Sequence, residues 1–317
     1  MAKQATELRY AVRHRVIARY FGQLCLVLAM LTMAPLLVSL LAGDRGVALR
    51  YAFVVCGIGA AGLGMARLRA PSDVQANEGM VLVALMFLFT PLAMTWPMMA
   101  SGLGFLDAFF EAVSGVTTTG LTTRATLAGA QPSFLFSRAW LQWYGGLGII
   151  VLSLALLVQP GLAAKGLAVA EGEFEDLVGG TRSRAQRVLK VYGALTVLGV
   201  LGSLLAGFGT FDSVLFTFAA VSTGGFAPGD ASLAGAGPLP QLWITLLCLL
   251  GAVPLTIYHR ALRKERLAAA DYLQTRAVVI ASVVASIAVG ASMRLGAGMG
   301  WPQVLHHAPM LAFSAQT

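Results

Sequence analysis

Two segments of the chain combine hydroxyl residues with glycine in a pattern that is able to bind a cation. Each begins with an aspartate, continues with apolar residues and ends in threonine or serine followed by glycine; they run from Asp107 to Gly120 and from Asp212 to Gly225. The segments align without gaps at a spacing of 105 residues. Glycine permits backbone angles that turn carbonyl groups toward one axis, and such carbonyls can replace the water shell of an ion. The pattern therefore favours coordination of a dehydrated cation.

A third segment near residue 317 fits the same pattern in part. It begins at His307, and in the alignment Ser314 corresponds to Ser114 and Thr317 to Thr117. A pattern that recurs at a fixed spacing indicates that one structural unit is used several times.

Each segment lies on an apolar stretch that is too short to cross a bilayer, which takes roughly 20 residues. These stretches, 104–116, 211–222 and 302–315, predict half-helices that enter the membrane from outside. The partly negative C-terminal end of such a helix faces the membrane centre and favours a cation there. We expect the residues that follow to run as an extended strand with exposed carbonyl groups.

Three residues are predicted to support the half-helices. Asp107 and Asp212 are candidates for N-caps, which accept hydrogen bonds from the first free N–H groups. Pro309 fits the first turn of the third half-helix, where its missing N–H is not needed.

The composition predicts an all-α polytopic membrane protein. Hydrophobic residues make up 57% of the chain and charged residues 11%, with a mean hydropathy of +0.77, whereas soluble domains contain about 25% charged residues. We expect about seven spans, with the half-helices as re-entrant pore loops between them. The predicted spans are 21–42, 47–66, 79–100, 138–160, 189–208, 240–259 and 276–293.

The distribution of basic residues predicts the orientation in the membrane. Most of the 22 lysine and arginine residues lie in the N-terminal tail and in the loops after the second, fourth and sixth spans. The positive-inside rule makes this side cytoplasmic, together with the N-terminus. The net charge of +8 is spread over these loops rather than forming one basic patch, so we expect the lipid bilayer and not nucleic acid as its partner.

A buried carboxylate and a group of glycines allow two interpretations each. Glu111, one helical turn after Asp107, has either a functional role, in which it braces the pore segment or attracts cations at its mouth, or it is a locally paired buried acid. Gly145, Gly146 and Gly148 either form a gate hinge or pack closely against a neighbouring helix.

Two arginines, Arg138 and Arg294, border predicted spans on the outer side. We expect both to be interfacial anchors.

Longer stretches around the three segments can be compared with known families. They are SGVTTTGLT (114–122), the following RAWLQWYGGLGIIVL (138–152), AAVSTGGFAP (219–228) and SAQT (314–317). These stretches, in this order and spacing, resemble the Trk-type potassium uptake family and its TrkH/KtrB branch. The resemblance extends from about residue 79 to residue 317, and the two preceding spans are similar to the extra N-terminal pair of the TrkH form.

The resemblance implies a transporter of K⁺ in the bacterial inner membrane, usually a homodimer, with four repeats around one pore. It also implies a cytosolic regulatory ring of the TrkA/KtrA type; a nucleotide is then expected on that partner, and no covalent cofactor on this chain. The implied ion-binding residues of the selectivity filter are Val116, Thr117, Thr118, Thr119, Gly120, Val221, Ser222, Thr223, Gly224, Gly225, Gln316 and Thr317.

The chain divides accordingly into a cytoplasmic tail, a pair of N-terminal helices, two pore repeats separated by cytoplasmic loops, and an incomplete third repeat. The predicted boundaries are 1–20, 21–78, 79–163, 164–188, 189–260, 261–275 and 276–317. Four repeats of this period would need roughly 480 residues. We therefore expect these 317 residues to be part of a longer chain and not to conduct alone.

Two alternatives remain open on the sequence alone. The first is a sodium-dependent or mixed Na⁺/K⁺ transporter of the same family, because the sequence does not fix ion selectivity. The second and more remote one is a membrane-embedded lipid-modifying enzyme, which would need His, Asp or Glu clustered near one membrane face. The predicted spans have no Asp or Glu in their middle, and an enzyme would leave the repeat unexplained.

Overall fold

The computed structural model describes residues 12–71, 74–148, 181–254, 257–258 and 269–316. These parts contain α-helices and a short 3-10 helix, Met99–Ser101, and no β-strand. The α-helices are α1 (His14–Leu41), α2 (Arg45–Ala66), α3 (Ala76–Met98), α4 (Phe105–Val116), α5 (Pro132–Leu147), α6 (Thr181–Leu205), α7 (Thr210–Val221), α8 (Pro238–Ala252), α9 (Ala269–Leu295) and α10 (Trp301–Gln316).

Five of these helices are long and apolar enough to cross a membrane: α1, α2, α3, α6 and α9. Large apolar side chains stay exposed on several of them, among them Phe53, Leu198 and Ile287, which are 59%, 60% and 68% exposed. Apolar side chains on the outer surface are what the hydrocarbon of a bilayer requires. The described part of the chain is thus an all-α, multi-pass membrane structure.

Two of the seven predicted spans appear as shorter helices. Helix α5 ends at Gly148, whose φ of 79° interrupts it, and residues 149–160 of that prediction lie outside the described part. Helix α8 ends at Ala252, and Val253 is extended because it precedes Pro254. The predicted span 240–259 is therefore not one continuous helix, because the proline interrupts it.

The three half-helices lie where the apolar stretches predicted them, as α4, α7 and α10. Their N-caps differ from the prediction. Gly104 and Gly209 occupy the cap positions with extended backbone, and Asp107 and Asp212 are each the third helical residue. A carboxylate in the first turn still interacts favourably with the positive end of the helix, although it does not cap it.

The third half-helix begins earlier than its proline suggested. Helix α10 starts at Trp301, with Pro302 in its first turn, so that Pro309 lies inside the helix. The prediction that Pro309 marks the first turn is wrong, because Pro302 takes the position that tolerates a missing N–H.

Packing places each half-helix beside the long helices that flank it in the sequence. Helix α4 contacts α3 and α5, α7 contacts α6 and α8, and α10 contacts α9. Two further contacts join successive units, α5 with α7 and α8 with α10. The helix that follows one half-helix therefore packs against the next half-helix along the chain.

The N-terminal helices α1 and α2 are joined by a close crossing. A methyl group added to Gly22 would lie 2.6 Å from the Ala66 backbone nitrogen, and one added to Gly62 would lie 2.9 Å from the Gly22 carbonyl oxygen. Small residues allow such an approach of two helix backbones in a membrane. At its N-terminal end, α1 is tied to α3 by Arg13, which pairs with the fully buried Glu78 at 2.8 Å.

Candidate ion-binding site

The first candidate segment leaves helix α4 through a Schellman turn. The N–H of Thr119 donates to the carbonyl of Ser114 at 2.9 Å, and the N–H of Thr118 donates to that of Gly115 at 3.0 Å. Val116 is the last helical residue, and Thr118 has a φ of 55°. Glycine is the usual residue at this left-handed position, so a threonine there is held in a strained conformation by its surroundings.

The second segment leaves helix α7 in the same way. The N–H of Gly224 donates to the carbonyl of Ala219 at 2.9 Å, and the N–H of Thr223 donates to that of Ala220 at 3.1 Å. Thr223 has a φ of 52°, and Val221 is the last helical residue. Every one of these positions lies 105 residues after its counterpart in the first segment.

A glycine with positive φ follows in both segments, and the segments touch at one of them. The φ angles are 76° at Gly120 and 79° at Gly225. A methyl group on Gly120 would lie 2.1 Å from the carbonyl oxygen of Gly224. Position 120 therefore requires a glycine for two reasons: its φ is positive, and the second segment approaches it too closely for a side chain.

Residues of both segments line one cavity of about 450 Å³. The segment residues in its wall are Thr119, Gly120, Thr223, Gly224 and Gly225. The structure thus brings these five predicted site residues together.

The remaining predicted residues of the two segments are not among those that line this cavity. Thr117 is exposed, and its hydroxyl donates to the carbonyl of Val113 at 2.7 Å and lies 2.8 Å from that of Thr119. Ser222 is buried, and its hydroxyl donates to the carbonyl of Ala219 at 3.3 Å. We expected an extended strand directly after each half-helix, but a Schellman turn follows instead. The hydrogen bonds of that turn bind the first residues after the helix back to its last turn.

The third segment is described only up to Gln316, which is the last residue of α10. Thr317 lies outside the described residues.

Glu111 is a buried acid with three partners. Its carboxylate pairs with Nε of Arg138 at 2.8 Å and accepts hydrogen bonds from the Thr122 hydroxyl and, at 3.0 Å, from the Thr123 N–H. The side chain is 0% exposed. The carboxylate is therefore locally paired, and it also holds the residues that follow the first segment.

Arg138 is buried rather than an interfacial anchor, since only 2% of its side chain is exposed. Its guanidinium carbon lies 3.9 Å from the ring centroid of Phe226, which follows the second segment. The prediction was wrong because helix α5 begins at Pro132, which puts Arg138 well inside the helix. An arginine in an apolar helix needs a partner, and the acid inside a neighbouring apolar half-helix was the sequence signal for it.

Gln142 is a site residue that sequence reasoning missed. It is 0% exposed; its Nε2 donates to the carbonyl of Gly224 at 2.6 Å, and its Oε1 accepts from the N–H of Phe226 at 3.0 Å. Its position four residues after Arg138 puts both on one face of α5. That spacing was the available signal.

Of the three glycines near the end of α5, two allow close packing and the third lies where the helix ends. A methyl group on Gly145 would lie 2.2 Å from the Val116 carbonyl oxygen, and one on Gly146 would lie 2.8 Å from Cβ of Ser222. Gly148, with positive φ, terminates the helix. In the second unit, Gly251 packs in a similar way: a methyl group added to it would lie 2.7 Å from the Ala220 carbonyl oxygen.

The loops that follow the two segments are joined by Asp230. Its carboxylate accepts a hydrogen bond from the Thr126 hydroxyl at 2.5 Å and one from the Leu127 N–H at 2.7 Å. These hydrogen bonds favour the ionised form and lower the pKa of Asp230 below its ordinary value of 3.8. Asp107 is exposed, and Asp212 lines a second cavity of about 420 Å³ beside this loop.

Comparison with known proteins matches residues 45–275 to the TrkH family, which is described as a cation transport protein. The chain is 32% identical to the Trk system potassium uptake protein TrkH of Halomonas elongata over 269 residues, 80% of this chain and 54% of that protein. It is 32% identical to the protein of the same name in Escherichia coli over 229 residues, 69% of this chain and 47% of that protein.

A third relative is the Trk system potassium uptake protein TrkI of Halomonas elongata, which is 31% identical over 261 residues, 80% of this chain and 53% of that protein. The chain spans about half the length of the curated relatives that it matches. Members of this family are transporters, so the enzyme alternative has no support. The family match covers most of the chain, and the chain therefore belongs to the TrkH family of cation transport proteins.

Proposed function

We propose that the protein carries potassium ions across the membrane as the pore subunit of a Trk-type uptake system. The observation that carries this proposal is the identical termination of α4 and α7, each with a left-handed threonine and then a left-handed glycine, beside one shared cavity. Potassium is the proposed ion because the relatives are named potassium uptake proteins.

In this proposal the two segments are quarters of a selectivity filter. Val116–Gly120 and Val221–Gly225 would offer backbone carbonyls to the ion in place of its water shell. The negative ends of α4 and α7 point to the start of these segments and favour a cation there. Gln316 and Thr317 would open a third quarter.

The proposed architecture is a series of span, half-helix, filter segment and span, with seven spans within these residues. Under it, the predicted boundaries separate the N-terminal pair, the first and second repeats and the start of the third. The N-terminus and the basic loops would be cytoplasmic, in a bacterial inner membrane. We further propose a homodimer that docks a TrkA-type regulatory ring, with a nucleotide bound by that ring.

The proposal is tested by expression of the complete gene in a bacterial strain that lacks its own potassium uptake systems. Growth at low external K⁺, and K⁺ uptake that excess Na⁺ does not reduce, are the expected results. Uptake that requires Na⁺ would instead identify the sodium-dependent alternative. No uptake of either ion, with the protein present in the membrane, would contradict the proposal.

A further inference from the structure

We infer that Gln142 is a positioning residue that fixes the second filter segment and thereby contributes to the choice of K⁺ over Na⁺. This inference rests on the proposed function. The amide of Gln142 holds the carbonyl of Gly224 and the N–H of Phe226, the two backbone groups on either side of Gly225. A single side chain thus fixes both peptide planes that flank the left-handed glycine.

The chemistry of an amide suits this role. It offers one acceptor and two donor hydrogens in a fixed plane, which matches a carbonyl and an N–H that lie two residues apart. Since Gly224 presents an acceptor and Phe226 a donor, the hydrogen bonds define which end of the amide is oxygen and which is nitrogen. Gln142 is fully buried, so water does not compete for these bonds.

The second segment is held by a side chain from outside its own unit. In the first segment, the hydroxyl of Ser114 on α4 donates to the carbonyl of Leu121 at 2.6 Å. The corresponding residue of α7 is Ala219, which has no hydroxyl. Gln142, which comes from the preceding unit, instead holds the second segment at two other backbone groups, the Gly224 carbonyl and the Phe226 N–H.

Helix α5 reaches the same place with a second side chain. Arg138, one turn before Gln142, lies over the ring of Phe226 while it pairs with Glu111 of the first half-helix. One face of α5 therefore connects the first half-helix to the end of the second segment.

The contact has a consequence for the ion ligands. The Gly224 carbonyl is directed to Gln142 at 2.6 Å. The second quarter is therefore expected to coordinate the ion chiefly through its other carbonyls, and removal of Gln142 frees the Gly224 peptide to rotate. A filter whose carbonyls change direction loses the arrangement that distinguishes the two ions.

The first test compares Gln142→Met with Gln241→Met in the complete protein. Methionine has a similar length but forms neither hydrogen bond. Gln241 is the matched control: it is 3% exposed, and its Nε2 donates to the carbonyls of Leu233 at 2.8 Å and Ala236 at 3.0 Å, both in the loop that follows the segment rather than in the segment itself. We expect the ratio of K⁺ to Na⁺ uptake to fall about tenfold in Gln142→Met, for the loss of two hydrogen bonds, and to stay unchanged in Gln241→Met.

A second test uses the close contact between the two residues. A methyl group on Gly224 would lie 2.5 Å from Cδ of Gln142. Gly224→Ala alone should therefore reduce uptake, while Gln142→Ala combined with Gly224→Ala should restore it with the low K⁺/Na⁺ ratio of Gln142→Ala. Such non-additivity is the signature of direct contact.

The outcomes separate this inference from the proposed function. If the wild type transports K⁺ and Gln142→Met keeps its K⁺/Na⁺ ratio, the inference is overturned and the proposed function stands. An equal fall of the ratio in Gln241→Met also overturns it, because general loosening would then explain the effect. If the wild type transports no K⁺, the proposed function fails and the inference fails with it.

Discussion

At the scale of single residues, the site depends on buried polar groups that satisfy one another. Glu111, Arg138 and Gln142 are all nearly inaccessible, and each contacts one of the two glycine-bearing segments or the residues that follow it. Buried charges are tolerated when they are paired and costly when one partner is removed. Glu111 and Arg138 should therefore act as a unit, so that the effects of substituting them are not additive.

Glu111→Gln is expected to destabilise the protein by about 3–5 kcal/mol, because it leaves the Arg138 charge buried without a counter-charge. The midpoint of thermal unfolding in detergent measures this effect. Asp107→Asn, in the exposed first turn of the same half-helix, is the control and should change it little. Adding Arg138→Met to Glu111→Gln should recover part of the loss. Additive losses in the double variant would show that the two residues do not act as a pair.

At the scale of helices and loops, the sequence predicted where the helices lie more accurately than where they begin and end. The half-helices lie within a few residues of the apolar stretches that predicted them, because a short apolar run between spans has few alternatives in a membrane. The caps were assigned to Asp107 and Asp212 from residue preference, but backbone conformation selected Gly104 and Gly209. The roles of Arg138 and Gln142 depend on residues distant in sequence, which local patterns do not specify.

Helix α5 should be sensitive to small changes where it meets the first segment. Gly145→Ala places a methyl group 2.2 Å from the Val116 carbonyl oxygen, so the helix must move away from the segment. We expect a loss of about 1–3 kcal/mol in stability, together with reduced uptake. Gly193→Ala in α6, where nothing lies within 4 Å, is the matched control and should leave both unchanged or raise stability slightly. Equal behaviour of the two variants would refute the packing role of Gly145.

The loop contact made by Asp230 should depend on pH in one direction. Its pKa is lowered in the folded protein, so the contact stabilises the loops above the unfolded-state value and loses this effect as the pH falls through the folded-state pKa. The difference in hydrogen exchange of residues 126–131 between wild type and Asp230→Asn should persist from about pH 7 down to about pH 4, and it should vanish only when the pH falls below the lowered folded-state pKa of Asp230. A difference that is equally large at low pH would contradict the assignment.

At the scale of the whole molecule, the composition and charge distribution predict a polytopic protein with a defined orientation. Five long apolar helices with exposed apolar surfaces agree with the membrane location. Orientation depends on the side to which the loops are exported, which helix packing alone does not reveal. The positive-inside rule supplies the prediction instead.

Orientation is tested by labelling single cysteines with a membrane-impermeant maleimide, after replacement of Cys25, Cys56 and Cys248 by serine. Ala128→Cys, in the exposed loop after the first segment, should react in intact cells. Arg15→Cys, at the start of α1, should react only after the cells are permeabilised. The reverse pattern would place the filter segments on the cytoplasmic side and would overturn the orientation.

The central claim is that the two glycine-bearing segments form the ion pathway. Its most direct test is the rate of K⁺ uptake in cells that carry the complete protein with Gly120→Val, Gly225→Val or Gly129→Val. All three glycines have positive φ, and an added methyl group would have nothing within 4 Å at both Gly225 and Gly129, so Gly129, in the loop after the first segment, is matched to Gly225 in backbone conformation and free space. Uptake should be abolished by the first two substitutions and retained in the third, with equal amounts of protein in the membrane. Wild-type uptake in both Gly120→Val and Gly225→Val would contradict the account.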